Sequence, residues 1–150
     1  KNSEIKEGSS FIFTNTRSAE EKVYNSLPYV DGVKIIKEFP DKIKIAVETA
    51  APQYVLYFNN EYLILSERDK LLDKCSELPP ELINIVGVKF SVSEIGKIVY
   101  ENEKTKDMFL NIANTFRSNG LNNIKGIDVS DIDNIIVNYD NRIKIKIGKN

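Results

Sequence analysis

The residues whose chemistry could support metal binding are concentrated near the C-terminal end of the chain. Carboxylate oxygens at close spacing are the ligands that Ca²⁺ prefers. The EF-hand loop also needs a glycine at its sixth position and a glutamate at its twelfth. The segment that begins at Asp128 has neither residue at those positions. We therefore predict that these side chains cap helices and hold turns, and no metal site is predicted. The four residues are Asp128, Asp131, Asp133 and Asp140.

Nucleophilic catalysis has little support in this chain, because it contains no histidine and one cysteine. The absence of histidine excludes Ser-His-Asp and Cys-His catalysis and most zinc sites. Lys74 beside Cys75 could lower the pKa of the thiol, but with no base available the thiol is predicted to be inert and partly buried. No Gly-rich phosphate loop is present, and no motif places two carboxylates in one cleft as a glycosidase requires. The chain is predicted to be no enzyme and to need no cofactor.

The overall charge and hydropathy exclude two further classes. The net charge is −1, so there is no electrostatic basis for binding a nucleic acid backbone. No run of about 18 apolar residues occurs, so nothing in the sequence is predicted to span a bilayer. The chain begins at Lys1 without methionine, which suggests a fragment or a processed product.

Two helices are predicted from capping signals and helical periodicity. Ser18 and Glu21 fit a capping box, so a short helix is expected to begin there and to end before Pro28. Its buried side is expected to comprise Val23, Tyr24 and Leu27. The second helix is expected over Glu101–Arg117, with Gly120 just beyond its end. Its apolar face is predicted to consist of Met108, Phe109, Ile112, Ala113 and Phe116.

Alternating apolar and charged residues predict a half-buried antiparallel ribbon over residues 30–49. A tight turn at Phe39–Lys42 joins its two strands. On the second strand, apolar residues expected on the buried face alternate with charged residues on the other face, namely Ile43, Ile45 and Val47 against Lys42, Lys44 and Glu48. The break at Thr49–Pro52 predicts a domain boundary. A second hairpin is expected from Tyr54 to Leu65, turning at Asn59-Asn60-Glu61, because asparagine tolerates positive φ.

The last hairpin is predicted to run from Asn134 to Ile147 through a turn at Asp140-Asn141. Three isoleucines of its final arm alternate with Arg142, Lys144 and Lys146, so the two sets face opposite ways. Lysines on an exposed strand are a common protection against unwanted edge pairing. The predicted fold class is therefore α+β. A helix on a two-stranded ribbon is followed by a mostly antiparallel β domain, and the Glu101–Arg117 helix covers one face of that domain's sheet.

In this order, the elements resemble the extracytoplasmic region of the FtsQ/DivIB family of bacterial cell division proteins. Each motif is common by itself, and it is their order and spacing over nearly the whole chain that carry the resemblance. The matching segments are Leu27–Val30 ("LPYV"), Val33–Ile35 with Phe39-Pro40 and Ile43–Glu48, Ala51–Val55, Ile127–Ser130, and the final hairpin ending at Ile147-Gly148.

The resemblance implies a POTRA domain over residues 1–49, lacking its N-terminal strand and helix, and a β domain over residues 50–150, lacking its C-terminal end. It implies a non-enzymatic divisome scaffold on the extracytoplasmic side of the cell membrane, anchored by a single transmembrane helix absent from this chain. The implied partners are FtsL- and FtsB/DivIC-type division proteins, bound by strand addition. A monomer is expected.

The partner-binding residues are expected on the final hairpin: Tyr139, Arg142, Ile143, Lys144, Ile145 and Lys146. The alternative is that this strand is a protected edge, or is covered by a segment outside the chain. Two other functions stay open. One is a POTRA-containing module of another envelope secretion or assembly system. The other is a histidine-free hydrolase or ligand-binding domain, which a concave pocket with convergent carboxylates would favour.

Overall fold

The computed structural model describes residues 15–94 and 97–148. The chain divides into two compact units, Lys1–Ala51 and Pro52–Asn150, and each is described here by itself. The described residues form two helices and eleven strands in antiparallel and mixed sheets. The predicted α+β class is therefore confirmed.

The first unit contains helix α1 (Thr16–Ser26) and an antiparallel ribbon of strands β1 (Val30–Glu38) and β2 (Lys42–Thr49). The predicted capping box is wrong, because the helix begins before Ser18. The side chain of Asn15 accepts a hydrogen bond from the Ser18 backbone N–H, 3.2 Å away, so Asn15 is the N-cap. Asparagine is among the most favourable N-cap residues, and it starts the helix ahead of the serine.

Helix α1 packs on β1 through a narrower face than predicted. Ala19 is only 1% exposed, and Glu20 Oε1 accepts a hydrogen bond from the Ile35 backbone N–H at 2.6 Å. The predicted buried side is wrong in two positions, because Tyr24 and Leu27 are exposed. Leu27 is the C-cap in an extended conformation, so the chain has already left the helix there.

The ribbon has the predicted strands and turn, but its second strand is not half-buried. All eight residues of β2 are exposed, and Ile45 is 54% exposed. Ile35, the partner of Ile45 on β1, is buried. The difference arises because α1 contacts β1 and hardly reaches β2. Alternation thus predicted correctly which residues share a face, but wrongly that Ile43, Ile45 and Val47 are buried.

The second unit is built on a seven-stranded mixed sheet in the order β11-β10-β9-β6-β3-β4-β5. The central strands β3, β6 and β9 are parallel and the outer pairs are antiparallel. Strands β7 and β8 form a separate hairpin. The strands are β3 (Pro52–Phe58), β4 (Glu61–Ser66), β5 (Leu71–Cys75), β6 (Ile83–Val86), β7 (Phe90–Glu94), β8 (Lys97–Tyr100), β9 (Ile124–Asp128), β10 (Asn134–Tyr139) and β11 (Ile143–Gly148).

Local turn chemistry determines the β3–β4 hairpin as predicted. Phe58 pairs with Glu61, and the two residues between them, Asn59 and Asn60, have φ of 49° and 65°. A two-residue hairpin loop with positive φ at both positions is what a type I′ turn requires, and the twist of that turn matches the flanking strands. Strand β5 was not predicted, because its two buried leucines follow a charged segment.

Helix α2 (Glu103–Ser118) covers one face of the sheet. Asn102 caps its N-terminus, and Gly120 follows its C-terminus with φ of +77°. The Leu121 N–H donates to the Phe116 carbonyl at 2.9 Å, completing a Schellman motif. The predicted apolar face is confirmed: Phe109 and Ala113 are buried, and the other three residues pack against the same core, namely Met108, Ile112 and Phe116.

Candidate functional site

Strand β11 lies at one edge of the sheet and pairs with β10. Its other edge faces no strand within residues 15–94 and 97–148. An edge strand of this kind presents unpaired backbone N–H and C=O groups, which can pair with an added strand. The outer edge of β11 is therefore the candidate interaction site.

The two faces of β11 differ as the sequence predicted. On the helix-covered face, Ile145 and Ile147 pack against the core, but Ile143 is 52% exposed. On the opposite face, Lys144 and Lys146 are exposed beside Asn138 and Ile136 of β10. The edge therefore presents two cations on one face and one exposed apolar side chain on the other.

Tyr139 and Arg142 lie at the turn that leads into β11. Tyr139 ends β10 opposite Ile143 and packs against the core. Asp140 and Asn141 have φ of 55° and 53°, and the Arg142 Nε donates to Asp140 Oδ2 at 2.8 Å. The structure thus brings all six predicted residues onto one hairpin. Tyr139 and Ile145 contribute their side chains mainly to the core, whereas Arg142, Ile143, Lys144 and Lys146 are exposed.

A groove that sequence reasoning missed lies between α2 and the end of β11. Its volume is about 520 Å³ and its floor is largely apolar. The exposed Ile132, in an otherwise polar loop, was the one sequence signal for it. Asp107 and Asp133 both line the groove, and both residues are exposed. Its lining residues are Lys104, Asp107, Met108, Asn111, Ile112, Ile132, Asp133, Ile135, Ile147 and Gly148.

Two polar contacts join the β4–β5 turn to β8 and α2. Arg117 of α2 forms an ion pair with Glu67, and the Tyr100 hydroxyl donates a hydrogen bond to Asp69. Burial raises the pKa of Asp69 to about 6, and the hydrogen bond from Tyr100 opposes that shift only in part. Burial, and then the neighbouring Asp69 carboxylate, raise the pKa of Tyr100. The sequence held no signal for these two contacts, because the residues that form them lie far apart along the chain.

Two of the four aspartates considered as calcium ligands, Asp128 and Asp131, hold turns. Asp128 accepts the Ser130 N–H at 2.9 Å, and Asp131 accepts the Asp133 N–H at 3.0 Å. Hydrogen bonds from the Asn134 side chain and from the Asp133 N–H hold the pKa of Asp131 below its usual range. Cys75 is half-buried at the end of β5, with Sγ 3.1 Å from the Glu77 carbonyl oxygen.

Comparison with known proteins agrees with this architecture. Residues 1–48 match the family model described as "POTRA domain, FtsQ-type". The chain is 29% identical over 149 residues to "Cell division protein DivIB" of Clostridium botulinum strain Hall, and also to that of strain Loch Maree. Each alignment covers 97% of this chain. The chain is therefore similar to proteins of the FtsQ/DivIB family.

The chain spans 57% of the length of the curated relatives it matches. Within the part that the structure describes, the POTRA match includes α1, β1 and nearly all of β2. None of the helices among the described residues is long and apolar enough to cross a membrane.

Proposed function

We propose that this chain is the extracytoplasmic part of a membrane-anchored cell division protein. It acts as a non-enzymatic scaffold that holds other division proteins at the septum, and residues 1–49 and 50–150 are its POTRA and β portions. The similarity to DivIB supports the division role. The proposed partners are FtsL- and FtsB/DivIC-type proteins.

The observation that carries the mechanism is the outer edge of β11, which pairs with no strand among the described residues. A partner segment in extended conformation can add there as a further strand, because backbone groups supply hydrogen bonds whatever the side chains are. Each such bond contributes about 0.5–1.5 kcal/mol net, so a strand opposite β11 binds appreciably only if side-chain contacts add to it. Arg142, Ile143, Lys144 and Lys146 are placed to make those contacts, and Tyr139 and Ile145 support the strand from the core.

The test uses two neighbouring proline substitutions in β11, Ile143→Pro and Lys144→Pro. Successive backbone N–H groups of a strand point to opposite edges, so one proline removes a bond to β10 and the other removes an outward donor. Both side chains are exposed, which makes the two variants matched controls for each other. Thermal melting identifies the variant that keeps the fold.

Binding of extracytoplasmic FtsL- and FtsB/DivIC-type segments from the same organism is then measured for each variant. We expect the well-folded proline variant to lose most of the binding that the parent chain shows. Parent-like binding by that variant would refute strand addition at β11. Normal septation and partner localisation in cells depleted of the parent protein would refute the division role itself.

A further inference from the structure

We propose that the strand which β11 accepts alternates acidic and apolar residues, with the acidic side chains opposite Lys144 and Lys146. This inference rests on the proposed strand addition at β11 and specifies the partner's chemistry. The partner is a division-protein segment in extended conformation, and its apolar residues fall opposite Ile143 and Ile145.

Neither lysine has an acidic residue directly opposite it on β10. On the β10 side, Lys144 lies opposite Asn138 and Lys146 lies opposite Ile136. Lys146 interacts electrostatically with the carboxylate of Asp131, which balances part of the positive charge of that lysine. Directly opposite side chains on paired strands lie close enough to interact, and opposite charges in that position are stabilising. An acidic residue on the outer side is therefore the complement that these lysines lack.

The apolar face of β11 is only partly covered within its own sheet. Ile145 and Ile147 are only partly buried, and Ile143 is more than half exposed. Because side chains alternate between faces with period two, a strand that places acids opposite the lysines places its intervening residues opposite the isoleucines. Apolar residues at those positions would cover Ile143 and extend the core by one strand.

Charge also disfavours a second copy of β11 as the occupant. Antiparallel pairing of two β11 strands about Ile145 would place Lys144 of each copy opposite Lys146 of the other, and like charges directly opposite are destabilising. Basic segments are disfavoured for the same reason. The charge pattern thus selects acidic partners and rejects self-pairing.

The experiment uses two blocked peptides of equal length that differ only in their charged residues. One alternates glutamate with valine and the other alternates lysine with valine. Binding to the whole chain is measured by titration, and amide hydrogen exchange reports protection of β11. Three proteins are compared: the parent chain, a Lys144→Glu/Lys146→Glu variant, and a Lys42→Glu/Lys44→Glu control in strand β2, whose lysines are also exposed.

We expect the acidic peptide to bind the parent chain at least about tenfold more tightly than the basic one. The Lys144→Glu/Lys146→Glu variant should reverse this preference, and the β2 control should retain it. Equal binding of both peptides, with β11 protected, would overturn the charge preference and leave strand addition standing. Binding of neither peptide to the folded parent chain would overturn the inference together with strand addition at β11.

Discussion

Replacing Asp69 by asparagine should stabilise the second unit at neutral pH. The Asp69 carboxylate accepts the hydroxyl hydrogen of Tyr100, which is only 7% exposed, and this environment raises the pKa of Asp69 to about 6. Asparagine is neutral, and its carbonyl oxygen can accept the same hydrogen bond. It also tolerates the φ of +66° at this position. The substitution therefore removes a charge that is costly to bury and keeps the local geometry.

The magnitude follows from the difference between the folded and unfolded pKa values of Asp69. A rise from 3.8 to about 6 corresponds to an upper bound of about 3 kcal/mol. Because the carboxylate is partly exposed and the positive charge of Lys106 lies nearby, we expect a gain of about 1–2 kcal/mol at pH 7. An acid whose pKa is raised binds more protons in the folded state than in the unfolded state. The parent chain should therefore lose stability as pH rises from about 4 to about 6.

The variant lacks this titration, so its advantage should vanish below about pH 4 and reach its full value above about pH 6. Urea unfolding at several pH values measures the difference, followed through amide signals of α2 because the two units can unfold separately. Asp73→Asn, at an exposed carboxylate of β5, is the matched control for the loss of one negative charge. An Asp69→Asn variant that is less stable than the parent at pH 7 would refute the argument. It would mean that the hydrogen bond from Tyr100 to the charged carboxylate outweighs its burial.

Two further substitutions test the backbone and capping arguments. Gly87→Ala should lower the free energy of unfolding by about 2 kcal/mol or more, because φ is +87° and an added Cβ would lie 2.2 Å from the Ser130 backbone nitrogen. An unchanged urea midpoint would contradict this. Asn15→Ala should destabilise α1 by about 1 kcal/mol, seen as faster hydrogen exchange in that helix, whereas Ser18→Ala should have little effect. A larger effect of Ser18→Ala than of Asn15→Ala would identify Ser18 as the N-cap instead.

Features determined by neighbouring residues were predictable from the sequence. The β3–β4 turn follows from two adjacent asparagines, and the end of α2 follows from Gly120, because glycine and asparagine adopt positive φ at little cost. The alternating arm of β11 likewise placed its lysines and isoleucines on opposite faces. These features depend on the dihedral preferences of single residues and on the alternation of side chains along a strand, and both can be read from the sequence.

Features that depend on distant elements were not predictable. Periodicity placed Ile43, Ile45 and Val47 on one face of β2, but burial depends on how far α1 reaches across the ribbon. The contact between Asp69 and Tyr100 joins residues separated by 31 positions. The start of α1 was predicted wrongly for a different reason. Asn15 and Ser18 are both favourable N-cap residues, and residue type alone does not determine which of them caps the helix.

If a partner strand adds to β11 as proposed, the same two lysines protect the edge and choose the partner. A strand protected only by bulk or by proline rejects every partner, whereas a strand protected by charge rejects partners of the same sign and admits those of the opposite sign. The charges that would face each other in a self-paired strand also distinguish β11 from β2. In an antiparallel pair of β2 strands centred on Ile45, Lys42 would lie opposite Glu48 of the other copy, so the two signs would attract. Charge therefore discriminates against self-pairing on β11 and not on β2, as the proposed choice of an acidic partner at β11 requires.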